Sequence, residues 1–345
     1  MQNIRAEVLL GTADLAGDQA FFEGLGMRME EIFPADDPAE AVFSGFGARV
    51  RLVRGDAPGR LRLRADDPVL LGKVRQVSPG GTVVEIAPLD PPVEVPVPTS
   101  EFIVRRLSDG APWVVGRAGM EYRDLVPGRL GGSIIASHIR IPGGGPVPDM
   151  VHYHSVGFQL IFCYRGWVDL VYEDQGPPFR LTPGACVIQP PEIRHRVLHS
   201  GDDLEVIEIG VPAEHLTTIE HQMDLPTGRH DPERRWQGQR FVRAEPEGAL
   251  WAAADVPGFE ARDTGIAANT GGVADVRVLR PAGEPEAFSH DRGIFFTFVL
   301  SGQMELRAGS TQVLAAGDAF VLPAGQEAIY AAPSADLQLL QVSLP

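Results

Sequence analysis

The sequence is short of cysteine, of long apolar runs and of positive charge, and each shortage excludes something. Only Cys163 and Cys186 stand among 345 residues. Two thiols cannot build a disulfide framework, so they read as reduced core residues. No apolar stretch reaches the roughly 18 residues of a membrane-spanning helix. Residues 1–7 lack the basic-then-apolar order of a secretory signal. The expected location is therefore cytoplasmic, with no membrane partner. Lys and Arg total 30 against 46 Asp and Glu, a net charge of −16. That balance argues against nucleic acid and anionic lipid as partners. It leaves an anionic small molecule open, because a local basic pocket can sit in an acidic protein.

Turn residues, by contrast, are plentiful. Gly 39 and Pro 30 make up one residue in five, which favours short strands joined by tight turns. The length suits two or three domains. Residues 1–115 predict a β-α-β-β-β order: a strand at 6–10, a helix capped near Asp14 and stopped by Gly26, then strands at 27–33, 41–46 and 48–53. A weaker second copy reads as a strand at 61–64, a helix at 68–77, and strands at 82–86 and 101–106. The Pro-rich segment 88–98 reads as extended loop.

From residue 116 helices nearly vanish and an internal repeat emerges. Gly119-Met-Glu-Tyr-Arg-Asp124 matches Gly258-Phe-Glu-Ala-Arg-Asp263. Later landmarks also pair: Gly166 with Gly302, Gly184 with Gly317, Pro190 with Pro323. Two all-β units, 116–220 and 221–345, are expected, with their join in the polar segment 215–245.

Four of the nine histidines form a pattern. His152 and His154 are two apart, so on a strand both face one side and can reach one metal ion. Gln159 and Gly166 follow, then Gly184, Pro190, Glu192, His195 and His199. These two segments resemble the two cupin motifs. The spacing agrees throughout except at the leading glycine, where Pro146 stands. Gln159 replaces a Glu, Glu192 a Gly and His199 an Asn.

The resemblance implies a mainly β fold, with two double-stranded β-helix (jelly-roll) barrels following an α+β N-terminal domain. It also implies a metal held inside the first barrel by His152, His154 and His195, with Gln159 as a fourth ligand. The ion would be one divalent transition metal, and Fe, Mn, Ni, Zn and Cu all suit three imidazoles. With Gln in place of Glu, such an ion keeps its full charge and acts as a Lewis acid. The expected function is lyase, isomerase or hydrolytic chemistry on a small carbonyl or sugar-acid substrate. An Fe(II) dioxygenase and a non-catalytic binder or sensor are the alternatives.

His199 is the expected proton-moving group. His138, Arg140, Ile161, Cys163 and Val197 are candidate substrate contacts by strand parity, and Tyr122, Arg123 and Trp167 are weaker ones. Arg123 pairs with Arg262 in the repeat, which suggests a structural ion-pair motif. In the second copy Phe288, His290, Phe295 and Ala328 fall where His152, His154, Gln159 and His195 stand, so no metal is expected there.

The N-terminal order resembles the vicinal oxygen chelate (glyoxalase/bleomycin-resistance) module. It does so through Glu7 to Leu15, Phe21-Phe22, Leu25-Gly26-Met27 and, for a second module, Gly80 to Glu85 and Glu101 to Gly110. Glu7 stands at that family's first ligand position without companions, so it reads as an exposed strand residue. The domain is expected to be a lid, a substrate-binding adjunct or a homodimer contact.

Overall fold

The computed structural model describes residues 4–55, 60–77 and 83–345. Thr82, where a strand is expected to begin, and Gly80 and Gly81 of the second-module resemblance lie outside them.

The first strand, Ile4–Thr12, leads into the helix Leu15–Gly24. The Asp14 carboxylate caps that helix by accepting the Gly17 N–H at 2.9 Å, and Gly26 ends the segment at φ +92°. Strands Arg28–Phe33, Glu40–Gly45 and Ala48–Arg54 follow. The last runs parallel to the first strand, Val8 opposite Val50, and the other two add antiparallel. Leu15 and Phe22 of the helix pack on Phe43, Val50 and Leu52 of the sheet.

The expected helix at 68–77 is instead a single 3-10 turn, Pro68–Leu71, followed by a short strand, Arg75–Val77. Gly72, at φ +100°, stops the turn before a helix can propagate. Strands Arg60–Ala65 and Val83–Pro88 pair in parallel and extend the sheet. The Pro-rich segment is irregular, as expected.

Glu7 is not exposed. It is fully buried on the sheet face opposite the helix, where Arg49 and Arg51 alternate with Val50 and Leu52. Arg49 Nε donates to Glu7 Oε1 at 2.8 Å and Arg51 Nε to Oε2 at 3.1 Å, while Arg51 also reaches Glu31 and Glu40. A strand carboxylate can be buried here because each of its oxygens meets a cation.

Beyond residue 116 one sheet of the first copy repeats strand for strand in the second. In the first barrel Ile135–Pro142, Asp203–Val211, Phe158–Arg165 and Cys186–Ile188 form one sheet. His152–Ser155, His195–Ser200, Val168–Tyr172 and Phe179–Leu181 belong to the other. The second barrel repeats the first sheet as Asp275–Pro281, Gln338–Leu344, Ile294–Ser301 and Ala319–Val321. One apolar cluster, including Phe158, Phe162, Phe296 and Phe298, joins the barrels back to back.

Two strands cross the expected boundaries. Ile103–Arg105 pairs with Ala319–Val321 of the second barrel, and Val242–Ala244 pairs with Cys186–Ile188 of the first. The N-terminal sheet also continues into the first barrel, with Glu31 opposite Thr218. Arg123 and Arg262 do not form the expected ion-pair motif. Each donates across the interface to a carbonyl of the other barrel, Arg123 to Gly317 at 2.7 Å and Arg262 to Gly184 at 2.6 Å. Those two glycines are repeat partners, so the contact is reciprocal. Cys163 and Cys186 are free and buried, and burial pushes both thiols up to about 12.

The Glu7 cluster gives a pH prediction. Burial alone would raise its carboxyl, but Arg51 and Arg49 outweigh burial and hold it at about 2, below the ordinary 4.5. A lowered folded-state pKa stabilises above the unfolded value and is lost as pH falls through the folded one. Glu7 therefore contributes roughly 3 kcal/mol at neutral pH. Denaturant titration of Glu7→Gln should show that deficit at pH 7, and the deficit should shrink between about pH 4.5 and 2.

Candidate metal centre

His152 and His154 lie on the strand His152–Ser155, whose residues alternate between buried and partly buried. His195 opens its strand directly opposite His152 in register. Strand pairing thus sets the third histidine beside the first, and the i, i+2 spacing adds the second. Ring centroids are 4.2 Å apart for His152–His195, 5.1 Å for His152–His154 and 5.2 Å for His154–His195. One ligating atom from each lies within 4.8 Å of the others, and no carboxylate joins this group among the described residues.

Hydrogen bonds fix which nitrogen each ring offers. His152 Nδ1–H donates to the Met150 carbonyl at 2.8 Å, and His195 Nδ1–H to the Ile193 carbonyl at 2.9 Å. Both use the carbonyl two residues upstream. His154 Nδ1 is bonded to the Thr217 hydroxyl at 2.9 Å. With Nδ1 occupied, the Nε2 lone pairs of His154 and His195 are left to ligate, while that of His152 accepts from Arg117 Nη2 at 2.8 Å, a bond that a metal ion would replace. Burial lowers the pKa of all three, that of His195 to about 4, so the rings are neutral at pH 7, the form a metal needs.

Gln159 is buried, and its Nε2 donates to Glu208 Oε1 at 2.7 Å. Its own Oε1 is buried with no hydrogen-bond partner. A buried acceptor without a donor is costly, and a cation would satisfy it. The donor set therefore fits a divalent ion. Burial pushes the Glu208 carboxyl up to about 7, against the lowering effect of the Gln159 bond.

A cavity of about 80 Å³ adjoins the triad, with aliphatic walls such as Ile139, Ile161, Val197 and Val206. Arg117, Tyr122 and Glu208 add polar groups. Arg117 sits on the turn entering the barrel, forms an ion pair with buried Asp149, and places Nη2 2.8 Å from His152 Nε2. Ala35 of the N-terminal unit completes the wall.

Ile161 and Val197 thus line the cavity as expected. Cys163 shares their face and is buried but is not among the residues lining the cavity. His138 and Arg140 do not reach the cavity, because Ile139 and Ile141 take the inward positions of their strand. His138 instead bonds Glu205 at 2.5 Å and packs on Phe298 of the second barrel. Arg140 pairs with Glu121 and covers Trp113. Trp167 lies under Arg180.

His199 is exposed and outside the cavity. Leu170 pairs with Val197 but Asp169 pairs with His199, so Leu198 is an extra residue. This bulge reverses the strand's parity and turns His199 outward. Glu208 and Arg117 escaped the sequence reading. Parity with Val206 on one strand is a signal that points to Glu208; nothing local marks Arg117.

In the second barrel Phe288 and Ala328 face each other as His152 and His195 do in the first. His290 stacks on Phe295 at 4.2 Å. Glu192, where the motif places Gly, adopts φ +65°, and its repeat partner is Gly325 at φ +77°. Left-handed backbone costs a non-glycine residue about 1–2 kcal/mol, partly offset by the entropy glycine loses on folding. Glu192→Gly should raise stability by roughly 0.5–1 kcal/mol in thermal unfolding, and an unchanged or lower value would contradict the strain.

No protein-family model matches the sequence, and no curated protein matches it. Solved structures do resemble the fold. A protein of Pseudomonas aeruginosa described as glyoxylate-induced shares 13% identity, with a TM-score of 0.52, over 74% of this chain and 93% of that one. Salicylate 1,2-dioxygenase of Pseudaminobacter salicylatoxidans shares 20% identity, TM-score 0.50, over 73% and 86%. Oxalate decarboxylase of Lactobacillus farciminis shares 11% identity, TM-score 0.50, over 74% and 89%. These neighbours are cupin proteins, and the likeness shows the fold: two cupin barrels on one chain.

Proposed function

We propose that this chain is a metal-dependent enzyme. His152, His154 and His195, with Gln159 as a fourth ligand, hold one divalent ion beside a small, largely apolar cavity. The observation that carries the reading is the convergence of three neutral, buried imidazoles whose Nδ1 atoms are already engaged. A divalent ion bound there supplies Lewis acidity toward a carbonyl oxygen.

The walls narrow the substrate. A sugar acid brings several hydroxyls, and each one buried without a partner costs about 1–3 kcal/mol. Aliphatic walls suit a compact carbonyl compound better. Arg117, at the cavity edge, orients an anionic group. With Glu208 Oε1 engaged by Gln159, the other oxygen of that carboxyl is the protic group that takes up or returns a proton, the role expected of His199. The chemistry is therefore proton transfer, as in a lyase or isomerase. Bulk charge of −16 does not oppose an anionic substrate, because Arg117 and a bound divalent ion would supply positive charge locally.

The N-terminal unit serves as a wall of the site. Ala35 reaches the cavity, Arg129 pairs with Asp36 at 2.9 Å, and the two sheets are continuous. Its parallel pairing of first and fourth strands supports the vicinal-oxygen-chelate resemblance, but as a lid, since Glu7 is committed to arginines.

The test is deuterium exchange. Protein loaded with Mn, Ni or Zn is incubated without oxygen in D2O with a panel of small branched 2-oxo acids and 1,3-dicarbonyl compounds, and exchange is followed by NMR. Exchange is expected beside the carbonyl of at least one compound, with a drop of about 10²–10⁴-fold in Glu208→Gln. Turnover only with iron and oxygen would overturn the reading in favour of a dioxygenase. No exchange and no turnover would leave a binder.

A further inference from the structure

The amide of Gln159 has two unlike ends, and only the oxygen can ligate a metal. Something must therefore choose which end faces the ion. Glu208 Oε1 accepts the Gln159 N–H at 2.7 Å. A carboxylate offers lone pairs, so it selects the nitrogen end, and the oxygen end is left buried with no protein donor.

Both residues face the barrel interior. Gln159 shares the inward face of its strand with Ile161, and Glu208 stands directly opposite Ile161 on the neighbouring strand. Ile161 and Glu208 both line the cavity beside the histidines. Glu208 does not join the histidines in the group that closes within 4.8 Å. Its link toward the triad is the hydrogen bond to Gln159.

The second barrel is an internal control. Its register sets Phe295 opposite Ser343 and Thr297 opposite Gln341, as Gln159 faces Gly210 and Ile161 faces Glu208. Phe295 and Gln341 therefore hold the positions of Gln159 and Glu208. Where the histidine positions carry Phe288 and Ala328, the amide–carboxylate pair is gone as well.

We propose that Glu208 is a positioning residue that holds Gln159 Oε1 toward the metal as its fourth ligand, so that a charge the motif places on the ligand stands one residue behind it. This rests on the metal reading above.

The test is Co(II) binding to metal-free protein, followed by calorimetry and by the visible absorption of Co(II). Glu208→Leu and Gln159→Leu should each weaken binding about 10–100-fold. The double variant should be no weaker than either single one, and all three should share one altered spectrum. Glu208→Gln should restore most of the affinity, because its amide oxygen can accept the same N–H. A carboxylate needs no orienting, since its two oxygens are alike. In a Gln159→Glu background, Glu208→Leu should therefore leave affinity and spectrum unchanged. Additive losses, or an equal loss in the Gln159→Glu background, would overturn the proposal, because a merely structural Glu208 would act the same in both. Wild-type protein that binds no Co(II) would instead overturn the metal reading itself.

Discussion

The site depends on one strand pairing. His152 and His195 stand opposite each other across two antiparallel strands, and that register brings residues 43 positions apart in the chain to a ring separation of 4.2 Å. A slip of one residue would turn one imidazole out of the barrel. Several independent contacts hold the register. Glu192 N–H bonds the His154 carbonyl at 3.0 Å despite its left-handed backbone. Buried Asp149 receives the Val197 N–H at 2.9 Å. His154 Nδ1 is tied to Thr217 on the next strand, and that strand is braced in turn by the N-terminal sheet.

The electrostatics follow from that arrangement. The three imidazoles are neutral, and charged groups surround them. Glu208 Oε1 accepts from Gln159, Asp149 lies 3.5 Å from Nδ1 of His152, and Arg117, paired with Asp149, donates to Nε2 of that ring. The replacement of a ligating Glu by Gln suggests an ion whose charge nothing cancels. To this the structure adds a carboxyl one hydrogen bond away from the amide. Its influence on the ion is indirect, and it remains able to carry a proton.

Much of this was legible from residues alone. The two barrels showed through the repeated glycines and prolines because turns demand those residues locally. His152 and His154 showed through strand parity, which needs only two neighbours in sequence, and His195 through its spacing in the second cupin motif. What was missed depends on partners distant in the chain. One extra residue at Leu198 reverses parity for His199. His138 and Arg140 could be assigned to either face until the neighbouring isoleucines were seen to point inward. Arg117 enters from a turn outside both motif segments. The exchange of strands 103–105 and 242–244 between barrels depends on where each edge finds a partner. Glu7 looked like an exposed strand residue because its arginines lie more than 40 positions away.

The central claim is that three histidines and a glutamine hold a functional divalent ion. The direct measurement is elemental analysis of the purified protein, repeated on His195→Ala after confirming by circular dichroism that the variant is folded. The wild-type protein should carry a transition metal in stoichiometric amount and the folded variant almost none. Metal absent from both, or equal in both, would contradict the claim.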